Sequence, residues 1–152
     1  MPTRRQFLLA SAAASIAPLV ASRSLFAAAP SPVITVYKSP DCECCAKWVK
    51  HLSANGFVVS PRDVARMDDI KTSMRVPEAL QSCHTAVVDR YVIEGHVPAD
   101  VIKKLLKEKA AVRGLAVPGM PSGSPGMESD RVEHYDVIAF TNEGKTRVYA
   151  HR

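Results

Sequence analysis

Three of the chain's four cysteines crowd into Cys42-Glu43-Cys44-Cys45, and the fourth, Cys83, stands apart in Ser82-Cys83-His84-Thr85. Cys42 and Cys45 have the Cys-x-x-Cys spacing with which one thiolate at a helix start attacks a disulfide and a second thiol resolves it. Cys44 does not suit that chemistry, because a third thiol beside the pair invites wrong disulfides. It does suit a soft ion as a further ligand. Bridging neighbours such as Cys44 and Cys45 would strain disulfide geometry, so clustering favours metal or redox chemistry over stapling. With Cys83 added, four thiolates favour Cu(I) or Zn(II) by softness. On a regular helix, Cys44 and Cys45 point about 100° apart. Either the first turn is distorted to wrap one ion, or several ions share bridging thiolates.

Other donors surround this set in sequence. His84 follows Cys83 directly and is a candidate ligand or a donor behind the ligands. His96, in Glu94-Gly95-His96-Val97-Pro98, lies at a loop before a helix, where a capping or solvated role competes with a metal-ligating one. Met120 and Met127 each follow a glycine in a long loop and offer thioethers suited to Cu(I). Met67 and Met74 fall on helical spacing and are predicted to pack. His51, His134 and His151 have no cluster partner and are predicted to lie at the surface. Trp48 is expected to anchor its helix to a sheet. Asp41 and Glu43 flank Cys42, and their charges raise a thiol's pKa against the pull of a helix dipole.

These residues need elements to bring them together. Val33-Ile34-Thr35-Val36-Tyr37 is a β-branched run ended by Ser39-Pro40-Asp41, a strand leading into a turn. Trp48, Val49 and Leu52 recur at helical spacing up to a stop at Asn55-Gly56, and Phe57-Val58-Val59 opens a second strand. Met67, Ile70 and Met74 predict a helix that breaks near Val76-Pro77, with a short helical piece through Leu80. Two strands, Thr85-Ala86-Val87-Val88 and Tyr91-Val92-Ile93, flank a tight turn at Asp89-Arg90. Pro98 opens an amphipathic helix with Val101, Ile102, Leu105 and Leu106 on one side. Residues 114–130 are rich in Gly and Pro and have no period, which predicts a long ordered loop or lid. A terminal hairpin follows, around Asn142-Glu143-Gly144-Lys145.

That order predicts an α/β, thioredoxin-like domain with a central mixed sheet flanked by helices. In such a fold the first strand delivers its cysteines to a helix N-terminus, where peptide dipoles favour thiolate. The turn before the third strand comes back against them, so Cys83 and His84 are expected to face Cys42 and Cys45. Many such domains carry a cis-proline at that turn. Here the nearest proline is Pro77, which leaves the site open to metal.

The N-terminus reads separately. Thr3-Arg4-Arg5-Gln6-Phe7-Leu8-Leu9, an alanine-rich apolar run and Ala27-Ala28-Ala29 describe an export signal of twin-arginine style. Cleavage after Ala29 is expected, by the twin-arginine or the general secretory route, giving residues 1–29 as leader and 30–152 as one metal-binding domain. Pro18 and Arg23 interrupt the apolar stretch, so no membrane span is expected after cleavage. Removing 29 of 152 residues leaves 123, enough for a single core. Arg4, Arg5 and Arg23 account for three of the net +5, so the remainder carries 17 basic and 15 acidic side chains. Those charges are scattered, which argues against nucleic acid as a partner.

Cys42-x-Cys44-Cys45, Ser82-Cys83-His84-Thr85, the run Tyr91 to Pro98, and Gly114-Leu115-Ala116-Val117-Pro118-Gly119-Met120-Pro121 to Gly126-Met127-Glu128 together resemble the CopG-like family of periplasmic copper-resistance proteins. The likeness covers about residues 33 to 150. It implies a thioredoxin-like fold and copper held by Cys42, Cys44, Cys45 and Cys83 as a multinuclear thiolate cluster. It further implies a role in copper tolerance, with interconversion of Cu(I) and Cu(II) and with other periplasmic copper-resistance proteins as partners. His84, His96, Met120 and Met127 are carried over as further ligands. Two other readings stay open from the residues alone: a thiol-disulfide oxidoreductase using Cys42 and Cys45, and a structural zinc domain.

Overall fold

The computed structural model describes residues 30–152. The expected leader and its cleavage site fall on residues 1–29, outside the described residues. No helix among the described residues is long and apolar enough to cross a membrane.

β1 (Val33–Lys38) alternates, burying Ile34 and Val36 completely, as a strand with one face on a core should. It leads through α1 (Glu43–Ala54) into β2 (Val58–Asp63), which pairs with it in parallel. A parallel pair needs such a crossover, since no tight turn can return the chain to the same end. Cys45, Trp48 and Leu52 form the buried stripe of α1, and Gly56 at φ +85° turns the chain out of it.

α2 (Met67–Ser73) and a short 3₁₀ turn (Glu78–Leu80) follow, broken near Val76-Pro77 as expected. β3 (Thr85–Val88) and β4 (Tyr91–Glu94) form the antiparallel hairpin, with Asp89 at φ 52° in its turn. Pro98 caps α3 (Ala99–Glu108), whose Val101, Ile102 and Leu105 are buried.

One expectation needs correction. The aperiodic stretch does not begin at 114, because Gly114–Ala116 forms β5, parallel to β4 and antiparallel to β6 (Asp136–Phe140). This strand is three residues long and buried throughout, too short to display a period. Gly114 reads as loop, yet it is demanded by packing: a Cβ there would sit 2.0 Å from the Val92 carbonyl oxygen. β7 (Thr146–His151) completes the terminal hairpin.

The result is one mixed seven-stranded sheet in the order β2-β1-β3-β4-β5-β6-β7. Its main core joins Ile34, Val36, Trp48, Leu52, Ile93 and Ile102. Three chain segments meet at one end of this sheet: the start of α1, the turn before β3, and the exit from β4.

Candidate metal centre

Cys42 is the residue that settles the convergence problem. It caps α1 from outside, with extended backbone at φ −79° and ψ 96° and no side-chain capping bond. Only Cys44 and Cys45 therefore obey helical spacing, and Cys42 turns back towards them without distorting the first turn. Cys42 and Cys45 are joined as a disulfide with Cα atoms 5.3 Å apart. Cys44 and Cys83 are free thiols. Cys44 Sγ lies 3.4 Å from Cys42 Sγ and 3.8 Å from Cys83 Sγ. All four sulfurs lie within 4.8 Å of one another.

Cys83 belongs to a second group as well. Its sulfur is 3.2 Å from His84 Nδ1 and 3.0 Å from His96 Nε2, and these three donors also form a set within 4.8 Å. His96, expected at a loop with a capping or solvated role in contention, is completely buried. Its Nδ1 faces the Pro125 carbonyl oxygen at 2.8 Å. A carbonyl can only accept, so the proton sits on Nδ1 and the Nε2 lone pair points at the sulfur. A ring held by a backbone carbonyl on one nitrogen and free on the other is the usual arrangement of a metal-binding histidine. His84 differs: its ring lies 4.3 Å from that of Trp48, and its Nε2 is buried with no partner among the described residues.

Electrostatics separates the donors. Burial pushes the Cys83 thiol up to about 12, with Cys44 adding to the rise. Without metal this sulfur keeps its proton. Burial holds His84 well below its ordinary 6.5, helped by His96 and Lys71. His96 is also lowered by burial, against the opposing pull of the Pro125 carbonyl and Glu128. Both imidazoles are thus neutral near pH 7 and need lose no proton to bind a cation.

The Gly/Pro-rich loop closes over this end of the sheet. Ser82 Oγ donates to the Gly119 carbonyl at 2.5 Å, and Gly126 packs on the first turns of α1. Met120 is half-exposed in the wall of a cleft of about 390 Å³ shared with Lys71, Ser82 and Cys83. Met127 is half-buried, its amide donating to the Ser124 carbonyl.

Trp48 anchors α1 as expected, its Nε1 donating to the Val97 carbonyl at 2.9 Å. His51 departs from expectation. It is half-buried, and its Nε2 accepts the Ala99 N–H at the start of α3 at 3.1 Å. That amide is one of the donors a helix start leaves unpaired. His134 and His151 are exposed, and His151 pairs with Asp136.

Sequence reasoning passed over Lys71 and Glu94, a buried ion pair beneath the Cys83 turn. A signal was there. Lys71 stands among Met67, Ile70 and Met74 where helical spacing calls for an apolar residue, and Glu94 ends the apolar run of β4.

Residues 80–127 match a family described as a protein of unknown function, DUF411. Two solved structures of a copper resistance protein, CopG, superpose on this chain. One, Form 2, is 46% identical with a TM-score of 0.77 and covers 80% of this chain and 98% of its own. The other, Form 1, is also 46% identical, with a TM-score of 0.76 and coverage of 82% and 98%. No curated protein matches the chain.

Proposed function

This chain belongs to the CopG family of copper-resistance proteins, and on that premise we propose that it binds copper in the periplasm through Cys42, Cys44, Cys45 and Cys83. The observation that carries the reading is the gathering of four sulfurs within 4.8 Å. Two sulfurs bound to one ion at about 2.3 Å each can be no more than about 4.6 Å apart, so this spacing suits sulfurs that share ions. Thiolates favour Cu(I), and the neutral imidazoles of His96 and His84 also accommodate Cu(II). Met120 and Met127 add thioethers from the loop, and several ions per chain are expected.

In this reading the Cys42–Cys45 bond is part of the chemistry. Cleaving it takes two electrons. Two Cu(I) ions giving one each leave two Cu(II) ions and two thiolates; run backwards, two Cu(II) ions take the pair's electrons and the disulfide re-forms. An external dithiol is the alternative donor, becoming a disulfide as it reduces this one.

The test is an anaerobic Cu(I) titration of the reduced chain from Pro30 onward, with ions counted per chain. Two or more tightly held ions are expected; none would end the copper reading. Equilibrium competition between Zn(II) and chelated Cu(I) separates a structural zinc role, since copper is expected to displace zinc.

One observation favours a second reading, exchange of disulfides with protein substrates: Cys42 and Cys45, at Cys-x-x-Cys spacing at the start of α1, are joined as a disulfide. That activity would depend on Cys42 and Cys45 and survive replacement of Cys83 by serine. The copper reading requires that replacement to lower the number of ions held.

A further inference from the structure

The buried pair beneath the Cys83 turn has no place in the copper chemistry above. Lys71 on α2 is 4% exposed and Glu94 at the end of β4 is 0% exposed. Lys71 Nζ donates to Glu94 Oε1 at 2.5 Å, and the same oxygen accepts the Ser82 amide N–H at 2.6 Å. The other oxygen accepts the Thr85 hydroxyl at 2.6 Å, and the Thr85 oxygen in turn accepts from Lys71 at 3.1 Å. One carboxylate therefore grips the residue before Cys83-His84 and the residue after it. The next amide along, Gly95 N–H, donates to the His84 carbonyl, so the exit of β4 clamps Ser82, His84 and Thr85 on the two sides of Cys83.

Stability alone is a poor reason for such a pair, because an apolar pair of the same volume is often as good or better. What an apolar pair cannot do is hold an amide and a hydroxyl at fixed positions. The rise in the Cys83 thiol comes from burial and Cys44, with neither Lys71 nor Glu94 among its causes. The pair acts on Cys83 through geometry.

We propose that Glu94, held by Lys71 and Thr85, is a positioning residue that fixes residues 82–85 so that the Cys83 sulfur meets both Cys44 and His96. The inference rests on the copper reading only in taking Cys83 for a ligand.

The test begins with metal-free protein in its Cys42–Cys45 disulfide form, where Cys44 and Cys83 are the free thiols. Iodoacetamide labelling, followed peptide by peptide in a mass spectrometer, compares the two in one molecule. Lys71→Met with Glu94→Leu is expected to speed labelling of Cys83 about tenfold, as loss of a charged hydrogen-bond acceptor implies. Cys44 is expected to change by less than about twofold, and Cu(I) affinity of the reduced form to fall about tenfold. Lys71→Met with Glu94→Gln keeps an oxygen for the Ser82 amide and is expected to bring Cys83 back within about threefold of its native rate. Native Cys83 labelling in the leucine variant, or no recovery in the glutamine variant, overturns the proposal. Should the leucine variant not fold, Thr85→Val carries the test: about threefold faster labelling confined to Cys83 supports it, and a native rate overturns it. Failure of the copper reading looks different, since the native protein would then hold no copper while the labelling comparison still gives its own answer.

Discussion

On one side of Cys83 the donors are the thiols of α1's first turn and its cap, half-buried except for Cys45, with two of them joined as a disulfide. On the other side are the imidazoles of His84 and His96, both completely buried and both kept neutral by that burial. The sulfur side holds a bond that two electrons would open, the Cys42–Cys45 disulfide. The nitrogen side has no such bond, and its orientation is set by a ring contact with Trp48 and a carbonyl of the covering loop. A soft, redox-variable donor set and a borderline, redox-inert one thus abut at a single sulfur. Cu(I) and Cu(II) prefer different ligands, so a site built for both would take this form.

The largest effect is expected where the two sides join. Cys83→Ser removes a donor from both sets at once. Replacing outer partners of metal ligands already costs about 10–100-fold in affinity, so loss of the shared ligand should exceed about 100-fold. Competition titration with a Cu(I) chelator reads it. A copper affinity that survived Cys83→Ser would break the comparison, leaving Cys42, Cys44 and Cys45 as a self-sufficient site. His96→Ala touches the nitrogen side alone and should weaken binding about tenfold. It should also bias the protein against Cu(II) more than against Cu(I), which parallel titrations with the two ions reveal. Equal losses would mean that His96 serves the sulfur side.

Much of this division was readable in the residues, and the unread parts have definite causes. The strand and helix order brought Cys83 to Cys42 and Cys45 on fold grounds, because β-branched runs and the Trp48/Leu52 spacing are local signals. Cys42's position outside α1 was not readable, since it depends on one residue's dihedral angles. The burial of His96 escaped for another reason: what buries it is an aperiodic loop whose packing no pattern encodes. β5 was lost to the same aperiodicity. Lys71 and Glu94 were hidden by the ordinary expectation that charged side chains face water, although each interrupts an apolar pattern. His51 looked solitary because its partner is a backbone amide of α3.

A smaller effect follows from buried, neutral histidines. His84, His96 and His51 all have folded-state pKa values below the ordinary 6.5. The unfolded chain then binds more protons in the window beneath 6.5, so stability rises with pH there. Their contribution is complete above about pH 6.5 and fades as pH falls towards the lowered values. The thermal midpoint of metal-free protein should therefore decline below about pH 6.5, and His96→Ala should flatten part of that decline. For His51 burial is the main cause of the lowering, against the opposing pull of Glu128 and Asp100, and protonating the ring would also break the bond it accepts from the Ala99 amide. A midpoint independent of pH between about 6.5 and 5 would show that the nitrogen side is not held neutral by burial.

The mildest test separates loop packing from loop conformation. Gly119 and Gly126 both adopt left-handed backbone, at φ +68° and +93°, so alanine strains either. Their surroundings differ. A Cβ at Gly119 meets nothing within 4 Å, whereas one at Gly126 would lie 2.7 Å from the Cys44 carbonyl oxygen, 3.1 Å from Trp48 N and 3.2 Å from His96 Nδ1. The first two neighbours are backbone atoms of α1, which cannot yield without moving the cysteines, so the loop has to lift. Lifting it draws the Pro125 carbonyl away from His96 and frees that ring to rotate. Gly119→Ala should cost about 1 kcal/mol of stability and leave copper affinity alone, while Gly126→Ala should cost about 1–3 kcal/mol. Copper affinity in Gly126→Ala should fall about threefold, less than in His96→Ala because the imidazole remains available in some orientations. Thermal melts and chelator competition on the two variants read both quantities. Identical copper affinity in the pair would mean that the loop merely covers His96 and that the His84 ring and the sheet suffice to aim it.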